Sequence, residues 1–331
     1  MRKKILYTLL FVFIFLLVGL NYIAYNHSYN FTHYANIQQN KLKVYDTSKI
    51  SWTQKLGYIL RGVEVPRPEN KLEPRFNFTT KKIHTPKGDL EIWQNANVQT
   101  HGTVVLFHGY NAKKSLLLDR AEEFYDLEYN VVLVDFLGSG GSDGNTVSIG
   151  YYEADQVKAV YDFVKGQGET TIYLFGISMG AVAIMKCMKD HHPEVKGIML
   201  ECPFGYFKTT VKNRFKNFGI PSFPMADLLM LWGNYHTGYN TYQHNPARYA
   251  REIKCPVLLM HGAIDHAVSK KEIDDIYNNL QGEKVLQTFE ATGHNIYDHK
   301  NRPIWIQTVY QFLVQTGSSP SPYYNEGDED F

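Results

Sequence analysis

Three cysteines in 331 residues are too few, and odd in number, for a disulfide framework. Cys187, Cys202 and Cys255 fall within or beside apolar runs, where free cysteine serves as a small buried hydrophobe. None sits where a lipoprotein signal would place it. An excess of one charge is missing too: 34 Lys and Arg stand against 33 Asp and Glu, a net charge of +1. That balance leaves no electrostatic footprint for nucleic acid. The chain carries no internal repeat, no His-Glu-x-x-His, no Cys-x-x-Cys and no Gly-x-Gly-x-x-Gly opening a helix. Metal and dinucleotide chemistry therefore lack their usual sequence supports, and neither a metal nor a cofactor is expected.

What is present centres on Gly176-Ile177-Ser178-Met179-Gly180, directly after the apolar run Thr171–Phe175. Glycine at 176 and 180 suits a tight strand-to-helix turn in which a Cβ would crowd the neighbouring backbone. Such a turn lifts the Ser178 hydroxyl above a sheet edge. A serine hydroxyl needs an imidazole to take its proton and a carboxylate to orient that imidazole. It also needs two N–H donors for the oxyanion. Candidates for each part follow other apolar runs. Residues 102–107 read as a strand ending in His108-Gly109-Tyr110, which makes the Tyr110 amide one oxyanion donor. The Met179 amide, at the start of the next helix, is the other. Residues 256–260 lead into His261-Gly262-Ala263-Ile264-Asp265, and residues 284–289 into Ala291-Thr292-Gly293-His294. Ser178, Asp265 and His294 thus stand in that chain order, each past the C-terminal end of an expected strand, where open α/β sheets carry their chemistry.

In these motifs the chain resembles the α/β-hydrolase superfamily over about residues 80–315, specifically its serine hydrolases of the membrane-anchored esterase and lysophospholipase kind. Val131–Asp135 running into the glycine loop Gly138–Gly144 fits the same pattern. The resemblance implies an α/β fold: an eight-stranded, mostly parallel sheet with helices on both faces and a helical cap inserted after strand 6. It further implies Ser178 as nucleophile, Asp265 as acid and His294 as base, acting on a small-molecule or lipid ester. Two residues compete for these roles: His299 for the base, and Glu201, which ends the strand 197–201, for the acid. His108 and His261 read as supports for their turns.

At the front, Arg2-Lys3-Lys4 precedes Ile5–Ala24, twenty residues without a charge. At 1.5 Å per residue they span ~30 Å, the thickness of a bilayer core. We expect a signal-anchor over 5–24, with residues 1–4 cytoplasmic and the enzyme outside, because the next cations are Lys41 and Lys43. A secreted protein freed by signal-peptide cleavage is the alternative, though the run is long for one and lacks a small-x-small site. Residues 25–80 read as a membrane-proximal stalk, 81–315 as the hydrolase domain and 316–331 as a disordered acidic tail.

The cap is expected over about 203–250. There Phe204, Phe207, Val211, Phe215 and Phe218 recur at helical spacing, with Lys208, Lys212 and Lys216 on a neighbouring face. An ordinary lid helix with solvated lysines accounts for this. A basic amphipathic lid that faces anionic headgroups accounts for it too, making the cap a second membrane contact. A peptidase or acyltransferase on the same fold, or a non-catalytic scaffold, stays open as an alternative.

Overall fold

The computed structural model describes residues 1–35, 51–95, 100–217, 219 and 221–317. Lys41, Lys43, Phe218 and the expected tail from 318 onward lie outside the described residues. In chain order the elements are α1 (Arg2–Thr32), β1 (Tyr34–Ala35), α2 (Trp52–Arg61), β2 (Val65–Pro66), β3 (Thr79–Thr85), β4 (Gly88–Gln94), β5 (Thr103–Phe107), α3 (Leu118–Asp126), β6 (Asn130–Val134) and α4 (Glu153–Gly166). They continue with β7 (Ile172–Ile177), α5 (Met179–His191), β8 (Gly197–Glu201), α6 (Phe207–Asn217), α7 (Met225–Thr237), α8 (Pro246–Tyr249), β9 (Val257–Gly262), α9 (Lys270–Asn279), β10 (Lys284–Phe289) and α10 (Arg302–Gln315). Two compact units result. One joins Met1–Arg67 to Phe207–His244, the other joins Pro68–Tyr206 to Asn245–Phe331.

The larger unit is built on an eight-stranded sheet in the order β10-β9-β8-β7-β5-β6-β4-β3. Its strands are parallel except β4, which runs against both neighbours, β3 and β6. The pairing is the expected eight-stranded, mostly parallel sheet with helices around it. β5, β7, β8 and β9 are almost wholly buried, which is why they read as unbroken apolar runs rather than alternating ones. At the two ends of the sheet, β3 and β10 leave residues exposed and carry lysines, as edge strands do. Helix α5 follows β7 after a single residue and is buried from Met179 to Met188. Around Trp305, Phe124 and Phe175, edge-to-face ring contacts at 5.7 to 6.0 Å fill the core beneath β7.

The smaller unit holds α1, α2, the short parallel pair β1–β2, α6 and α7. Helix α1 is one unbroken element of 31 residues, long and apolar enough to cross a bilayer. Its first seventeen residues are exposed all round, and its buried positions are Ala24, Ser28 and Thr32, spaced by four on one face. That face packs on α7. The small residues allow close approach, since a Cβ added to Gly233 of α7 would lie 3.8 Å from Ser28 Oγ. A capping box, Ser51 with Gln54, starts α2. Within the expected cap, the Lys208 ammonium meets Asp227 of α7 at 2.6 Å, while Lys212 and Lys216 stay exposed.

Candidate active site

Ser178 sits in the one-residue turn between β7 and α5 at φ 51° and ψ −109°, a conformation costly for any residue with a side chain. Its N–H donates to Glu201 O at 2.8 Å, which ties the turn to the neighbouring strand. A Cβ at Gly180 would stand 2.3 Å from Phe107 O, and one at Gly176 2.6 Å from Ala181 N. Both contacts are with backbone and cannot relax cheaply. We expect Gly180→Ala to abolish activity and lower the melting temperature, read by thermal unfolding beside an ester assay; a variant as stable and active as the parent would refute the crowding argument.

His294 Nε2 lies 3.0 Å from Ser178 Oγ, and His294 Nδ1 lies 2.7 Å from Asp265 Oδ2. The pattern assigns the tautomer: Nδ1–H donates to the carboxylate, and Nε2 accepts from the serine. The Asp265 side chain is buried, while that of His294 remains 38 % exposed. Asp265 Oδ1 accepts the amides of Ala267 at 2.7 Å and Val268 at 3.0 Å. Burial alone would raise the Asp265 carboxyl. The hydrogen bond and charge of His294, with those two amides, outweigh it and hold the group below the ordinary carboxylate value. The loops bearing acid and base come together at Gly262, where an added Cβ would stand 2.2 Å from Thr292 O and Gly293 O.

The sequence therefore pointed to three residues that the structure brings into one hydrogen-bonded line. Met179 begins α5 directly beside the serine, so its N–H has no acceptor one turn back in the helix. The turn carrying Tyr110 also lies close by: a Cβ on Gly109 would be 3.6 Å from Ser178 Cβ. Neither competitor joins the line. His299 is exposed. Glu201 is buried and engaged elsewhere, accepting from Trp305 Nε1 at 2.6 Å and from Arg120 Nη2 at 3.0 Å. His108 is buried and braces its turn, with Nε2 accepting the Phe136 amide at 3.1 Å, and His261 Nε2 meets Thr288 Oγ1 at 3.0 Å.

Other residues around the site gave no signal as single letters. Arg120, fixed on Glu201, also reaches Asn295 Oδ1 at 3.4 Å, next to His294. Its guanidinium lies over the Tyr297 ring at 4.5 Å. The base loop is thereby held by a buried ion pair. A glutamate ending an otherwise apolar strand, 197–201, is the one feature that could have announced that pair. Cys202, Asp265 and His294 offer ligand atoms within 4.8 Å of one another. Burial pushes the Cys202 thiol well above its ordinary value, whereas a metal takes the thiolate. With Asp265 and His294 hydrogen-bonded to each other and the thiol neutral, the trio does not present the ligand set a metal takes.

Comparisons with known proteins agree with this architecture. The family profile for serine aminopeptidase, S33, matches residues 98–230. An uncharacterized Bacillus subtilis protein, YqkD, is 27% identical over 235 residues, covering 70% of this chain and 77% of its own length. Monoacylglycerol lipase abhd6-A of Xenopus laevis is 28% identical over 110 residues, 33% of this chain and 32% of the lipase. Among solved structures, the Pyrococcus furiosus esterase Pf2001 superposes with a TM-score of 0.62 at 21% identity, covering 76% of this chain and 98% of the esterase. Sheet order, the turn at Ser178 and these matches together show that the chain has the α/β-hydrolase fold.

Proposed function

We propose that the protein is a membrane-anchored serine hydrolase that cleaves carboxylic esters through an acyl-enzyme. The observation that carries the proposal is the continuous line from Ser178 Oγ through His294 to Asp265, with contacts of 3.0 and 2.7 Å. As Ser178 Oγ attacks the ester carbonyl, its proton passes to His294 Nε2. The imidazolium is stabilised by Asp265, already ionised and hydrogen-bonded to Nδ1. The carbonyl oxygen, now an oxyanion, takes hydrogen bonds from the Met179 and Tyr110 amides, aided by the positive end of α5. His294 then returns the proton to the leaving alcohol, and the acyl group stays on Ser178. Water repeats the path: it gives a proton to His294, its oxygen joins the acyl carbon, and the acid leaves as Ser178 recovers its proton.

The anchor is α1, with Arg2, Lys3 and Lys4 on the cytoplasmic side and the hydrolase outside. Similarity to a lipase and to an esterase supports an ester of a lipid or small molecule. The name of the matched family favours a second reading, removal of an N-terminal amino acid by the same serine. One assay separates the two. The full-length chain in detergent micelles is given nitrophenyl esters of increasing acyl length and an aminoacyl nitroanilide, beside Ser178→Ala. We expect ester turnover that Ser178→Ala lowers by about 10⁵-fold or more. Serine-dependent cleavage of the anilide alone would make it a peptidase. No serine-dependent rate on either would end the proposal.

A further inference from the structure

Helix α1 does not stop where a bilayer core would. Counted from Ile5, a core ~30 Å thick is used up near Ala24, yet the helix runs on to Thr32, ~12 Å further. That distance exceeds the headgroup layer, which adds only about 5–8 Å on each side. The extra two turns therefore pass through the interface, and what gathers around them is aromatic. Tyr22, Tyr25 and Tyr29 line this part of α1 and are all exposed. From α7, Trp232 meets the Tyr25 ring edge-on at 5.1 Å and donates its indole N–H to Asn21 Oδ1 at 3.2 Å. Tyr235, one turn along α7 and 70% exposed, packs beside both rings. Tryptophan and tyrosine collect at the level of lipid headgroups, where an apolar ring with a polar handle fits best.

Helix α2 joins the same level. Asn30 Nδ2 donates to Arg61 O at 2.8 Å, and His27 Nε2 meets Ile59 O at 2.9 Å. These contacts lie ~4–9 Å along α1 beyond Ala24. Along α2 and just past it, Trp52, Leu56, Ile59, Leu60 and Val63 are exposed at spacings of four, three, one and three. They form a single apolar stripe on a helix whose Thr53, Gln54 and Arg61 are polar. A surface helix of a soluble body turns such a stripe inward. Here the stripe stays uncovered, beside a helix that enters lipid.

We infer that α2 lies in the headgroup–acyl boundary of the leaflet from which α1 emerges, forming with Tyr22, Tyr25, Tyr29, Trp232 and Tyr235 a collar docked on the bilayer. This rests on α1 being the membrane anchor of the proposed function, and it adds a second, interfacial contact that the anchor alone does not require. It follows that α7, in the segment inserted between β8 and β9, is held at a lipid surface rather than in bulk water.

The test uses the full-length chain in phosphatidylcholine vesicles whose acyl chains are brominated either near the headgroup or near the tail end. Trp93 and Trp305 are buried in the hydrolase unit, and Trp232 of the collar is common to both chains, so the difference between the native chain and Trp52→Phe reports Trp52. Shallow bromines should quench the native chain roughly twofold more than deep ones, as burial by ~5–10 Å requires. Trp52→Phe should lose the share of that difference that Trp52 supplies and keep the share of Trp232. A second probe, Phe13→Trp in the Trp52→Phe background, reports on the span and should be quenched best by deep bromines. Deep quenching of that probe with no lipid quenching of Trp52 overturns the collar and leaves the anchor standing. In that case aqueous iodide tells solvent from a second copy: quenching means an open face, protection means a face covered by another chain. Failure of both probes removes the anchor as well.

Discussion

Asp265→Asn is expected to lower kcat on an ester by about 10⁴-fold while leaving the fold intact. The size follows from geometry. Asp265 Oδ2 takes the Nδ1 proton of His294 at 2.7 Å and so leaves Nε2 free to accept from Ser178. An asparagine offers its NH₂ at one of the two positions, which favours the other tautomer and turns Nε2 into a donor. The imidazolium also loses the charge that stabilises it. Glu201→Gln supplies the contrast. Its carboxylate balances Arg120 and accepts the Trp305 indole, both buried. Glutamine keeps the indole bond but leaves Arg120 with only the exposed Asp119 as counter-charge, costing about 3 kcal/mol of stability with little change in kcat. Steady-state kinetics and denaturant unfolding on both variants check the pair. If Glu201→Gln silenced turnover and Asp265→Asn did not, the acid would have to be reassigned to 201.

The second large effect concerns stability. Lys114→Met should cost about 3–5 kcal/mol, on the order of 10 °C in melting temperature for a domain of this size. Lys114 is fully buried and stands between Glu91, at 2.8 Å, and the equally buried Asp135, with its ammonium over the Trp93 ring at 4.4 Å. Methionine fills the space and leaves Asp135 charged with no ammonium beside it. The pH dependence has a definite sign. Burial would raise the Asp135 carboxyl, but Lys114 and His108 outweigh it and hold it below its ordinary value. Stability from that shift is complete above about pH 3.9 and is lost as pH falls through the folded value. Without Lys114 the carboxyl takes up a proton at higher pH, and the uncompensated charge disappears with it. The gap between native and variant should therefore narrow from pH 7 to pH 4 in urea titrations. A gap independent of pH would mean that packing, not charge, carries the loss.

How much of this could be read beforehand depended on whether the signal was local. Residues 197–201 and 284–289 were strands as read, and 171–175 moved only to Ile172–Ile177. Interior parallel strands announce themselves because both faces are covered. Ser178, Asp265 and His294 were legible for a related reason: the first two follow such strands, the third follows the edge strand β10, and glycine marks each loop. Lys114 was not legible. In Ala112-Lys113-Lys114-Ser115 it looks like any solvated turn lysine, and its partners stand 21 and 23 residues away, Asp135 just past β6 and Glu91 on β4. Nor could periodicity reveal that α1 continues past the apolar run to pack on α7. No local pattern links Asn21 to a tryptophan 211 residues later.

That separation is also a delay. On a ribosome adding ~5–20 residues per second, 211 residues take roughly 10–40 s. Throughout that interval the face of α1 bearing Ala24, Ser28 and Thr32 has been made and α7 has not. The half-built pairing must be tolerated as a waiting state. Thr32 suits it, because its Oγ1 already donates to Ser28 O within the helix. Helix α1 is thus synthesised well before α7, and its packed face is completed only when α7 arrives.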